Sequence, residues 1–134
     1  MHEIVHHIYR YYIEDDADNR IIWFDEGLAM NFSLQNDKYN DTDIFKEFLN
    51  NKIFSIKNIP CINDLNHGKS FVNENYNGYD LSYLVVRYLI ENNSDEDFYL
   101  IMKSKKTIKD IGENILNIAI SYYYNMYKNN SMNK

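Results

Sequence analysis

The chain has 134 residues, 45% hydrophobic and 25% charged, which fits one globular domain with a reasonable core. Its net charge of -6 argues against a nucleic-acid partner, because phosphate binding needs a basic patch. The single cysteine, Cys61, leaves no internal disulfide framework and no thiolate zinc site, and no apolar run approaches the roughly 18 residues of a membrane span.

In chain order the pattern is helical. Residues 2–13 place Ile4, Val5, Ile8, Tyr12 and Ile13 at helical spacings. Glu14 to Arg20 is an acidic surface loop, and residues 21–34 form a second helix around Ile22, Phe24, Leu28, Met30 and Phe32. After the polar loop Gln35 to Thr42, Asp41 or Thr42 can cap a helix through about Asn50. Ile53 to Leu65 is less regular, broken by Pro60, and Asn66-His67-Gly68 and Asn77-Gly78 are turn signals. Tyr79 to Glu91 carries Leu81, Leu84, Val85, Tyr88 and Leu89 on one broad face. Ser94 with Asp97 caps a helix over 95–103, and Thr107 with Asp110 opens a last helix ending near Lys128. Residues 129–134 read as a frayed polar tail. Four glycines and one proline argue against an all-β chain. The expected fold is all-α: a single mostly helical domain over residues 1–134, with no internal repeat.

The basic run Lys103-Ser104-Lys105-Lys106 reads as a solvated helix end. No signal-peptide pattern is expected from the opening residues, where Met1 is followed by His-Glu rather than a basic region and an apolar run. The expected location is cytoplasmic or left open by the sequence.

Chemistry concentrates in two strings. His2-Glu3-Ile4-Val5-His6 is H-E-x-x-H, which on a helix sets two imidazoles one turn apart on one face. Trp23-Phe24-Asp25-Glu26-Gly27-Leu28-Ala29 then supplies Glu26, a carboxylate in an aromatic, apolar helix where a charge needs a partner. Two His and one Glu with an open position form the ligand set of a hydrolytic zinc site. Zinc lowers the pKa of bound water, and a carboxylate beside it, here Glu3, takes the proton. The bland alternative is a surface helix that shows His2, His6 and His7 to solvent.

The chain resembles the gluzincin clan of zinc metallopeptidases, in particular peptidase MA-like proteins and, more distantly, aminopeptidase and leukotriene-hydrolase-like members. Their pattern is H-E-x-x-H, a gap of about twenty residues, an aromatic residue, then Asn/Asp-Glu-Gly-hydrophobic-Ala. The resemblance implies zinc ligands His2, His6 and Glu26, Glu3 as general base, and a peptide or protein substrate. A downstream stretch, Tyr79-Asp80-Leu81-Ser82-Tyr83-Leu84-Val85-Val86 with Tyr88-Leu89-Ile90, is similar to a family helix whose leading Tyr donates to the oxyanion, so that role falls on Tyr79. Tyr83 and His67 are fallback donors.

There are departures. Met30 stands one turn after Glu26, where thermolysin-like relatives place a carboxylate that orients a ligating His. Asp25 is left as either a group supporting the ligands or one that sits in water. Relatives also carry a β-sheet ahead of the metal helix, whose edge strand pairs with the substrate backbone. The expectation is therefore the helical part of such a domain, with weak zinc affinity and little activity by itself. A catalytically inactive helical module that binds zinc or a partner is the alternative, and a fold in which the His cluster is incidental is the third reading.

Overall fold

The computed structural model describes residues 2–12, 21–32, 60, 65, 72, 76–103 and 114–132, with the side chains of His2, Tyr12 and residues 127–132 left out. The expected helix near 41–50, the Thr107–Asp110 cap, Cys61, His67 and the basic residues 104–106 lie outside the described residues. Five helices are described: α1 His2–Tyr12, α2 Ile22–Phe32, α3 Gly78–Glu91, α4 Asp95–Lys103 and α5 Ile115–Met132. Among the described residues the only β feature is an isolated bridge between Val72 and Asn77. The all-α expectation holds.

The helix α2 is the centre of the packing. Trp23, Phe24, Asp25, Gly27, Leu28, Ala29, Met30 and Asn31 are all buried, so it is enclosed on every side rather than amphipathic. Its main neighbour is α3, then α1. The α2–α3 approach depends on Gly27. A Cβ built there would strike the Val86 side chain and fall 2.5 Å from the Ser82 carbonyl oxygen. Asn31 adds a polar tie, its Nδ2 donating to the carbonyls of Gly27 (2.7 Å) and Tyr83 (3.2 Å).

Opposite α2, helix α3 buries Leu81, Leu84, Val85, Val86 and Leu89. Full burial of each large apolar side chain favours folding by about 1.5–3 kcal/mol. Asn77-Gly78 is a helix start rather than a turn between elements: Asn77 Oδ1 accepts from the Tyr79 N–H at 3.0 Å and caps α3. At the other end the Asn92 N–H and side chain both donate to the Tyr88 carbonyl. Two residues on, Ser94 Oγ accepts from the Asp97 N–H at 3.1 Å, the cap expected for α4. Asp95, Glu96 and Asp97 in its first turn and Lys103 in its last suit the helix dipole.

The last helix, α5, packs on α3 through Ile115, Leu116, Ala119, Ile120 and Tyr123. Tyr123 donates its hydroxyl to Glu91 Oε2 (2.8 Å), while Arg87 Nε donates to Oε1 (2.6 Å). Burial, then the bond to Glu91, pushes the Tyr123 phenol well above its ordinary pKa, so it stays a neutral donor. The expected polar tail needs correction, since α5 runs on to Met132. Asn129, Asn130 and Ser131 are indifferent helix formers, but extending a helix already nucleated costs far less than starting one, and no Gly or Pro stops it.

The first helix is mostly exposed. Tyr9 is its anchor, 1% exposed, with its hydroxyl accepting from the Ile21 N–H at 3.2 Å and its ring tilted against Phe24. No described helix is long and apolar enough to cross a membrane.

Candidate functional site

Helix α1 lies against α2, and the contact brings the two motif strings together. His6 is the meeting point. Its Nδ1–H donates to Asp25 Oδ1 at 2.6 Å, and its Nε2 faces Glu26 Oε2 at 3.6 Å. A carboxylate only accepts, so the bond to Asp25 places an imidazole proton on Nδ1 and turns Nε2 towards Glu26. The three side chains are sheltered: Asp25 has no exposed surface, His6 12% and Glu26 16%. Of the two places the sequence left open for Asp25, water is therefore excluded. It is fully buried and satisfied by the imidazole.

The local sequence explains the arrangement. Asp25 lies in the first turn of α2, where a carboxylate is favoured by the free N–H groups. Phe24 and Leu28 are core residues on the same helix, and the Asp25 side chain reaches His6 on α1. Gly27, read as part of the motif, has a packing reason of its own in the close approach of α3.

Does this fit a metal? Two ligands of a tetrahedral zinc ion, each about 2.0–2.1 Å from it, lie about 3.3 Å from one another. The 3.6 Å between His6 Nε2 and Glu26 Oε2 is close to that spacing. A carboxylate holding the far nitrogen of the imidazole is the usual support of a metal-bound His. Among the described residues, no group of three or more His, Cys, Asp and Glu side chains is gathered around one point. His2, the expected third ligand, is on α1 one turn before His6, with its side chain outside the described residues.

The remaining expected residues are less gathered. Glu3 is exposed in the first turn of α1. Tyr79 is 41% exposed in the first turn of α3, with its N–H on the Asn77 cap. Tyr83, a fallback donor, is instead a core residue at 4% exposure whose carbonyl accepts from Asn31. Sequence reasoning missed Tyr9, whose signal was its place one turn beyond Val5 and His6 on the face that meets α2. No family model, curated protein or solved structure matches the chain.

Proposed function

We propose that the chain is a zinc-dependent peptidase or the catalytic part of one, with His2, His6 and Glu26 as the metal ligands and Glu3 as the general base. The observation that supports it is His6, held by Asp25 through one nitrogen while the other faces Glu26 at a spacing suited to a shared ion. Bound zinc would supply a Lewis acid and make water a nucleophile near neutral pH. Asp25 fixes the orientation of the imidazole and turns its Nε2 towards Glu26. Glu3, exposed and within the same helix, is free to take up a proton from water and pass it to the leaving amine. Tyr79 is the proposed hydrogen-bond donor to the developing oxyanion.

The test combines metal content with turnover of a peptide library. The wild-type chain is expected to bind zinc weakly, saturating at one ion per chain, and His6→Ala and Glu26→Ala lose it. Glu3→Gln should keep the zinc while peptide cleavage falls about a hundredfold or more. Cleavage that survives Glu3→Gln or a chelator sinks the peptidase reading. Zinc bound by a wild-type chain that cleaves nothing leaves the inactive zinc-binding module.

A further inference from the structure

Three large side chains of α1 face water: Ile4 at 55% exposure, Ile8 at 48% and Tyr11 at 79%. They stand at i, i+4 and i+7, one stripe along the helix. Together with His7 they line a shallow hollow on α1. Four side chains of one helix at i, i+3, i+4 and i+7 form the hole that receives a side chain from a facing helix. The shape therefore calls for a helix as its occupant.

Charge says which helix. Glu3 and Arg10, both exposed, are seven residues apart and share one flank of the stripe. When two copies of α1 pair antiparallel about a two-fold axis, that flank meets itself. The carboxylate of one copy then lies against the guanidinium of the other, twice in each dimer. Parallel pairing would instead set this flank against the Ile8 side, where neither charge is answered. On its other edge the stripe is continuous with a second apolar hollow of about 480 Å³, in which Ile4 and Ile8 are joined by Phe32, Phe98, Tyr99 and Met102. A second copy would extend its cover over that surface.

We propose that α1 is the contact of a two-fold homodimer, packed antiparallel through Ile4, Ile8 and Tyr11 and registered by Glu3–Arg10 pairs between copies. In the dimer Glu3 is held by Arg10 of the other copy, so the catalytic role proposed for Glu3 belongs to the monomer; the inference does not rest on the peptidase reading, and its readout is association alone.

Sedimentation velocity of the full chain across the micromolar range tests it. A concentration-dependent dimer is expected for the wild type and a monomer at every concentration for Ile8→Glu. Arg10→Glu weakens the dimer about tenfold, by removing two exposed pairs and opposing like charges. The double variant Glu3→Arg/Arg10→Glu restores it. Ile8 is half exposed, and Tyr11→Glu, at a site further in water, serves as a second interface variant should Ile8→Glu lose its helical circular dichroism. A wild type that stays monomeric, a dimer indifferent to Ile8→Glu and Tyr11→Glu, or a double variant that fails to restore pairing each overturns the proposal.

Discussion

The α2–α3 crossing and the α1–α2 contact are built from opposite materials. At the crossing, small and apolar groups dominate: Gly27 lies against Val86 and the Ser82 backbone, with Ala29, Leu81 and Val85 buried around it. The α1 contact has one deeply buried aromatic residue, Tyr9, and one charged bond, His6 to Asp25, while Ile4, Ile8 and Tyr11 of the same helix remain in water. One interface is set by how closely two backbones approach, the other by two polar attachments. The candidate ligands straddle the second, so the site can be loosened without dismantling the core.

The comparison breaks first at Gly27. Gly27→Ala places a methyl where Val86 and the Ser82 carbonyl already stand. The backbone contact cannot rotate away, and we expect a loss of about 3 kcal/mol, at the upper end of overpacking costs, read from the urea midpoint. Next comes Asp25. Removing it in Asp25→Ala leaves His6 without its acceptor and should cost about 2 kcal/mol while weakening zinc affinity about tenfold or more. Asp25→Asn keeps an acceptor oxygen and should recover most of both. If the alanine and asparagine variants behave alike, the orienting bond carries nothing. The smallest effect is Tyr9→Phe, which keeps the ring against Phe24 and removes only the hydroxyl that serves the Ile21 N–H. About 1 kcal/mol is expected, with hydrogen exchange rising in α1 before α3.

Much of the fold was legible because it is local. The Ser94 cap, the apolar face of α3 and the helical character of α1 and α2 follow from spacing and from side chains that bond their own neighbours. Asn77-Gly78 was legible as punctuation but not in kind, since the same dipeptide serves a hairpin or a helix cap and only the apolar run after it decides. The end of α5 was misread because polar composition was taken for fraying, although nothing in Asn129–Ser131 forbids a helix. At the candidate site, His6 and Glu26 could be paired from the motif spacing. Asp25 could not be placed, because whether a carboxylate is wet or buried depends on which helix lies over it. Tyr9 and Gly27 are of the same kind: their roles are set across an interface, where one sequence gives no register.

Trp23 gives this architecture an optical consequence. It is the chain's sole tryptophan, it is 2% exposed, and its ring meets Phe24 edge-on at 5.7 Å. Every photon emitted by indole therefore reports from the first turn of α2, two residues before Asp25. Excitation at the red edge, where the thirteen tyrosines absorb little, follows the neighbourhood of the candidate site without any label.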